Sequence, residues 1–459
     1  MSKPSALPPS GFRDFLPEEA LARQQLVRVI ADVYGAFGFR PIALSAMENL
    51  STLLGKGGGT DNEKLIFQVL KRGESLRAAL ADWLSAGRPS VDGAVDTRGL
   101  ELADLGLRFD LTLPLARFYA KNQSTLPRPF KVFQMGPVWR ADRPQKGRYR
   151  EFWQCDVDVL GASELGAEVE CLSAILSVFQ RFEFHGLELH LNDRRLLAAL
   201  GRTLGATDAQ WAEALICLDK LDKVGADGVI AELQEKSLLS GGGLERMREI
   251  LGRTEHARED DWQGVDGESV NSIRDVREIL ASAFPRVNVR FNPSLVRGQD
   301  YYTGTIFEVR HSEIAGSLAG GGRYNRLLEI FGGQATPAFG GSIGFERLVL
   351  LLTEKGLLGK SANDVKVFFP LLAPELRADV VELAMGLRAR GIGADVYPDA
   401  AKLKQQFKYA DERGFRYCAI LGGDEHKAGV MKLKDMETGT ETTVPLPAFL
   451  STLETLCKT

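Results

Sequence analysis

The residues best suited to chemistry lie on short stretches whose spacing can be read directly. In EFWQCDVDVLG, residues 151–161, strand alternation puts Phe152, Gln154, Asp156 and Asp158 on one face and Trp153, Cys155, Val157 and Val159 on the other. The loop before it, RADRPQKGRYR, carries five cations from Arg140 to Arg150. Side chains sharing a strand face recur about every 7 Å, so Phe152 and Asp158 are expected roughly 20 Å apart, enough to span a nucleotide joined to a small molecule. Burying carboxylates and an amide is costly unless they are paired, and a cationic ligand is one natural partner. A hairpin with a solvated, charged tip is the plainer alternative.

In LRFDLTLPLARF, residues 107–118, the same alternation predicts a second strand on which Arg108, Asp110 and Thr112 share a face. Alone it reads equally well as a half-exposed strand with a polar outer face; together with Gln154 and Asp158, Asp110 and Thr112 would form one amine-binding pocket. LVRGQDYYTGTIFEV, residues 295–309, sets Arg297 before a Gly298 bend and the pair Tyr301 and Tyr302. A fixed guanidinium beside a buried tyrosine hydroxyl suits a developing phosphoryl charge, although tyrosines packing an ordinary hairpin would give the same pattern. AGGGRYNRL, residues 319–327, presents Arg323 and Tyr324 after three glycines that allow close backbone approach. In FGGSIGFERLVLLL, Phe345, Leu348, Val349 and Leu352 have helix-core spacing, which leaves Arg347 in the first turn. The helix dipole gives a cation no advantage there, which suggests an anionic ligand, although a surface arginine is the commoner explanation of such a residue taken singly.

Glycine-rich nucleotide motifs fail. Glu354 stands where G-x-x-x-x-G-K-S needs its first glycine, and in GKGGGTD (55–61) Thr60 replaces the last glycine of G-x-G-x-x-G, which leaves a flexible loop as the reading. Any nucleotide must therefore be held by arginines. Late in the chain, residues 401–434 carry eight Lys or Arg, among them Lys402, Lys404 and Lys408, against four acids, a net of +4. Phe407 and Tyr409 interleave with them in a way that suits stacking on exposed bases, whereas a solvated helix face is the alternative.

These stretches need a scaffold to position them. A chain of 459 residues, 44% hydrophobic and 26% charged, is long enough for roughly three domains and is expected to be soluble and globular. No apolar run approaches the ~18 residues of a membrane span, and the Pro- and acid-broken start has no leader pattern, so a cytoplasmic location is expected. The five cysteines include no CxxC and do not pair with the five histidines at metal-ligand spacing, which argues against structural zinc. A net charge of -4 excludes indiscriminate polyanion binding and puts the burden on local basic patches.

Residues 1–190 alternate helical and strand-like runs, 191–282 read as amphipathic helices inserted into that pattern, and strands return over 283–358. GKSAND (359–364) reads as a linker, and 364–459 has the strand and helix rhythm of a small α/β domain around a mostly parallel sheet.

GPVWRADRPQKGRYREFWQCDVDVLG, LVRGQDYYTGTIFE, GGGRYNRL and SIGFERL occur in the order seen in histidyl-tRNA synthetases, which the chain resembles over nearly its whole length. KLKQQFKYAD and MKLKDMETG continue the match in the last domain. The resemblance implies an α+β fold: a class II synthetase core with an antiparallel sheet flanked by helices, a helical insertion, a C-terminal α/β anticodon-binding domain, and a homodimer. It implies that histidine and ATP react, with Mg²⁺, to histidyl-adenylate and pyrophosphate, and that histidine then passes to the 3′-terminal adenosine of tRNA-His.

By position, Arg297 and Arg140 would be the catalytic residues. Arg140, Arg148 and Arg347 would hold the ATP phosphates, with Phe152 stacked on adenine and Asp142 near it. Asp110, Thr112 and Gln154 would bind the histidine amino group, Asp158 and Tyr302 the imidazole nitrogens, and Tyr301 and Tyr324 would complete the pocket. Gln145 would approach the tRNA acceptor end, and Lys402, Lys404 and Lys408 the anticodon; the metal ligands stay unassigned. Ser45 stands where the family's first motif has an interface proline, and Gln299 where leucine is usual. Non-charging paralogues of the family commonly lack the arginine matching Arg297 or the last domain; this chain has both.

Overall fold

The structure is a computed structural model that describes residues 5–54, 64–85, 90–91, 94–95, 102–144, 148–163, 165–253, 257–262, 264–297, 301–314, 316–358 and 365–458. The GKGGGTD loop, Gln145, the Gly298 bend with Gln299, and the GKSAND linker lie outside them. The chain divides into two compact units, Met1–Leu358 and Gly359–Thr459.

The first unit is built on an eight-stranded sheet ordered Arg40–Pro41, Phe130–Trp139, Glu151–Leu160, Ala338–Gly344, Ala319–Arg323, Thr305–His311, Leu187–Asp193, Asn288–Phe291. The six inner strands are antiparallel, and only the two edge strands pair in parallel. Alternation along Glu151–Leu160 is as the residue types dictate. Cys155, Val157 and Val159 join one hydrophobic cluster with Leu26, Ile30, Val33 and Tyr34 of helix Pro17–Ala36 and Cys171, Leu172 and Ile175 of helix Gly166–Gln180. Each such buried aliphatic contributes about 1.5–3 kcal/mol. Asp156 and Asp158, on the opposite face, are just as buried. From Cys155 to Leu160 the strand is therefore enclosed on both sides, and the two carboxylates on its polar side have no solvent to satisfy them.

Among the described residues between strands Leu187–Asp193 and Asn288–Phe291 run the α-helices Arg194–Thr203, Asp208–Leu218, Leu221–Glu235, Gly241–Gly252 and Gly267–Ala283, with a short 3-10 helix at Glu259–Trp262. Side-chain caps start several of them: Asp193 accepts from the Arg195 amide, Thr207 and Gln210 form a capping box, and Asp266 accepts from Ser269. Helix Leu221–Glu235 is interrupted at Gly225, whose φ of 72° and ψ of 172° leave the helical region.

The second unit has a five-stranded sheet ordered Gly393–Val396, Val365–Phe369, Tyr417–Ile420, Val430–Asp435, Glu441–Pro445. The first three strands are parallel and the last two antiparallel, so the sheet is half parallel rather than mostly so. The reason is MKLKDMETGTETTVP, a hairpin whose turn is closed by the Asp435 carboxylate accepting from the Glu437 and Thr438 amides. Among the described residues no helix is long and apolar enough to cross a membrane.

Candidate active site

The polar face of Glu151–Leu160 meets its neighbours in register. Asp156 lies opposite Gln134 and Asp158 opposite Val132 on one side, with Ser342 and Gly340 as their partners on the other. Asp158 Oδ1 accepts a 2.6 Å hydrogen bond from the Tyr324 hydroxyl. Gly340 is required beneath it, because a Cβ there would fall 1.9 Å from that oxygen.

Asp110 arrives differently from the alternation-based expectation. The strand ends at Leu107, and Thr112 opens helix Thr112–Asn122 instead of continuing a strand through 118. Pro114 in the first helical turn needs no amide hydrogen there, and Asp110 Oδ1 takes the Leu113 N–H at 3.2 Å. Gln134 Nε2 donates to the Leu111 carbonyl at 2.9 Å and Arg140 Nε to the Phe109 carbonyl at 3.0 Å, which tie this turn to the sheet. Arg108, expected on the same face, instead donates to the carbonyls of Pro137, Leu44 and Ser45 and braces the backbone.

Three tyrosines roof the acids. Tyr301 packs edge-on against Tyr302 at 4.9 Å and Tyr324 at 6.2 Å between centroids, and its hydroxyl bonds to Thr112. Among the described residues, the buried carboxylate and amide oxygens without a partner are Asp110 Oδ2, Gln134 Oε1, Gln154 Oε1, Asp156 Oδ1 and Asp158 Oδ2. All five belong to this one site, and all five are acceptors. Burial raises the Asp110 carboxyl to about 6, against the pull of the Leu113 amide and Arg140. Burial likewise pushes Asp158 up to about 7, opposed by the Tyr324 hydroxyl and assisted by Asp110. Asp156 is held well above the usual carboxylate range by burial and then by Asp158. Such a set of acceptors is completed by a ligand that brings N–H donors and positive charge.

Asp156 and Gln134 had no role assigned from sequence. Asp156 was visible on the polar face; the signal for Gln134 was a lone amide between Phe133 and Met135 in an otherwise apolar strand. Arg323, singled out for its glycines, points away from the acceptors into a buried ion pair with Glu168 at 2.5 Å and is structural.

A cationic end adjoins the acceptors. The Arg140 guanidinium stands 5.1 Å from the Phe152 ring centroid. Arg148 pairs with Asp142 at 2.7 Å, and Arg347 Nη1 donates to the Ser317 carbonyl at 2.7 Å. Arg347 leaves the first turn of helix Phe345–Glu354, whose neighbouring Glu346 is clamped by Arg13 at 2.6 Å, by both Arg23 nitrogens at 2.7 Å and by the Trp153 amide at 3.2 Å. Burial lowers the Arg347 pKa, Glu308 opposes this, and Arg148 and Arg297 lower it further, which marks the arginines as mutual neighbours. Arg297 Nη1 meets Glu308 Oε1 at 2.7 Å, while its buried Nε has no partner. Burial works against the Arg297 charge, but Tyr302 and Glu308 more than offset it and hold the pKa above its ordinary value. Gly320 beneath leaves the room: a Cβ there would lie 2.7 Å from Arg297 Nη1. Gly321 and Gly341 are bare on the other face, where a Cβ would strike Phe307.

In the second unit, Lys402, Lys404, Phe407, Lys408 and Lys434 border a cleft of about 790 Å³. Tyr409, expected to face bases beside Phe407, instead packs among Phe368, Tyr397 and Phe415 and donates its hydroxyl to Asp395 at 2.8 Å. Among the described residues no group of three His, Cys, Asp or Glu could hold a metal ion.

Comparison with known proteins falls on the same segments. The family model for histidyl-tRNA synthetase matches residues 95–348, and that for the anticodon binding domain matches 356–456. The chain is 38% identical over 436 residues to the histidine–tRNA ligase of Leifsonia xyli subsp. xyli (strain CTCB07), covering 91% of this chain and 95% of that one. To the histidine–tRNA ligase of Christiangramia forsetii it is 36% identical over 453 residues, with 95% and 96% covered. The crystal structure of histidyl-tRNA synthetase from Nostoc sp. PCC 7120 is similar at TM-score 0.77 and 25% identity over 98% of this chain and 99% of that one. With a family model over more than half its length and relatives alike from end to end, the chain belongs to the histidyl-tRNA synthetase family.

Proposed function

We propose that this chain joins L-histidine to ATP, releasing pyrophosphate, and passes the histidine to the 3′-terminal adenosine of tRNA-His. The observation that carries the reading is the set of five buried acceptor oxygens without donors beneath Tyr301, Tyr302 and Tyr324. The histidine ammonium supplies donors to Asp110, Gln154 and Thr112, and the imidazole N–H supplies one to Asp158, with Tyr302 at the second ring nitrogen. An amino acid without the imidazole would strand these acceptors, which is worth roughly 10⁴-fold in discrimination.

The chemistry needs no side-chain nucleophile. The histidine carboxylate attacks the α-phosphorus, the bond to the β,γ-phosphates breaks, and pyrophosphate leaves. In the second step a ribose hydroxyl of the terminal adenosine attacks the histidyl carbonyl, and AMP leaves. Arg297, with an unpaired buried Nε and a guanidinium oriented by Glu308, stabilises charge developing on the α-phosphate. Arg140, Arg148 and Arg347 hold the remaining phosphates, and Phe152 receives the adenine. The carboxylates near these arginines, Asp142 and Glu308, are already engaged by guanidinium groups. Mg²⁺ arriving with ATP would supply charge shielding at the phosphates, with these two carboxylates kept for the arginines.

Gln145 at the acceptor end, Lys402, Lys404 and Lys408 at the anticodon, a homodimer, a cytoplasmic location, and the domain limits 1–190, 191–282, 283–358 and 364–459 complete the proposal. Pyrophosphate exchange into ATP, run with each of the twenty amino acids and with Arg297→Ala, tests it. Exchange with histidine alone, strongly reduced but still measurable in the variant, is expected; histidine binding by the unaltered chain without exchange would overturn the ligase reading in favour of a histidine sensor.

A further inference from the structure

We infer that Arg310 is a positioning residue for Arg297 that ties the helical insertion to the charge facing the α-phosphate, an inference that rests on the role proposed for Arg297. Glu308, on strand Thr305–His311, stands between two guanidinium groups. Its Oε1 accepts from Arg297 Nη1 at 2.7 Å, and its Oε2 from Arg310 Nε at 3.0 Å and Nη2 at 2.9 Å. Arg310 also grips Asp222 with two contacts, Nη1 to Oδ1 at 3.2 Å and Nη2 to Oδ2 at 3.0 Å. Asp222 belongs to the insertion, in the turn of Leu221–Glu235 that precedes the break at Gly225. Four residues thus form one chain of contacts, Asp222 to Arg310 to Glu308 to Arg297.

Glu308 has one charge to divide. Because Arg310 draws on Oε2, Arg297 is oriented through a single oxygen and keeps part of its positive charge for a phosphate. Without Arg310, Glu308 turns wholly to Arg297, which both neutralises and rotates it. Asp222 keeps Arg310 from taking both oxygens of Glu308 for itself. Beside this ion pair lies a cavity of about 930 Å³ between the sheet edge and the insertion, lined by Leu218, Asp219 and Asp222 on one side and His190, Arg290 and Arg310 on the other. Besides the hydrophobic core that the insertion shares with the sheet, this ion pair gives the insertion turn a polar connection to the strand that carries Glu308.

The test is pyrophosphate exchange on the full chain, with kcat and histidine KM measured for Arg297→Ala, Arg310→Met, Arg310→Lys, Asp222→Asn and the double variant R297A/R310M. Arg310→Met should lower kcat about 10-fold with histidine KM unchanged, Asp222→Asn about 3-fold in the same sense, and Arg310→Lys should recover part of the loss. The double variant should be no slower than Arg297→Ala alone, since Arg310 acts only through Arg297. Losses that multiply in the double variant, or wild-type kcat in both Arg310→Met and Asp222→Asn, would overturn the inference. So would a lowered Tm with a raised histidine KM in Arg310→Met, which would make the residue merely structural. Normal exchange by Arg297→Ala is a separate outcome that sinks the role of Arg297 itself.

Discussion

Tyr324 donates its hydroxyl to Asp158 Oδ1 at 2.6 Å, while Asp158 Oδ2, in the same buried carboxylate, has no partner. The protein thus satisfies one oxygen and leaves the other for a ligand. That division holds the carboxylate in one rotamer before substrate arrives, which lowers the ordering cost of binding.

Tyr324→Phe should therefore raise the histidine KM about 10-fold, the effect of losing a hydrogen bond to a charged group, with little change in ATP KM. Asp158→Ala should cost more and erase the preference for histidine over amino acids without an imidazole. Exchange kinetics with histidine and with a panel of competitors check both; unchanged selectivity in Asp158→Ala would remove Asp158 from imidazole recognition.

The pH dependence follows from the raised carboxyls, about 6 for Asp110 and about 7 for Asp158. The ammonium needs Asp110 ionised and the imidazole N–H needs an ionised acceptor at Asp158, so histidine binding should weaken as pH falls below about 7 and should release protons there. Stability runs the other way. A carboxyl raised on folding adds stability that is fully present below its ordinary value of 3.8 and is lost as pH rises through 6 and 7. Bound histidine should thus raise Tm more at pH 8 than at pH 5.5. Calorimetric titration in two buffers of different protonation enthalpy gives the proton count, and Asp158→Asn controls for the titration of free histidine; equal counts in both proteins would contradict the assignment.

Glu346 is 11% exposed and Arg23 10%, so Glu346→Ala strands a buried guanidinium together with the Trp153 amide. A loss of about 3–5 kcal/mol of stability is expected from denaturant unfolding. Because Glu346 sets the start of the helix that bears Arg347, the surviving folded enzyme should also show a raised ATP KM and an unaltered histidine KM.

Lys404→Ala with Lys408→Ala should weaken tRNA binding and flatten its salt dependence by about one ion per lost phosphate contact, leaving histidine-dependent exchange untouched. Filter binding across a salt series measures it; an unchanged slope would take these lysines out of the RNA interface.

The sequence was most legible where period and polarity disagreed. EFWQCDVDVLG announced its pocket because strand alternation delivered carboxylates to a side that had to be buried. LRFDLTLPLARF misled for the same reason: Arg108, Asp110 and Thr112 alternate, yet Pro114 and the Asp110 bond to the Leu113 amide turn the segment into a helix start. Arg323 and Tyr409 could not be sorted from their neighbours because the partners that claim them, Glu168 and Asp395, lie 155 and 14 residues away. The contact between Asp222 and Arg310 was out of reach for the same cause, since these residues, 88 apart, meet only after the insertion folds back on the sheet.

Two neighbouring strands at the centre of the sheet, AGGGR and AFGGSIG, are half glycine. A Cβ at Gly320 or Gly340 would collide with Arg297 or Asp158 on one face, and at Gly321 or Gly341 with Phe307 on the other. A side chain cannot be added at these four positions without moving Arg297, Asp158 or Phe307, so a change of amino-acid preference on this scaffold has its room in the strand that bears Gln154, Asp156 and Asp158 and in the tyrosine roof.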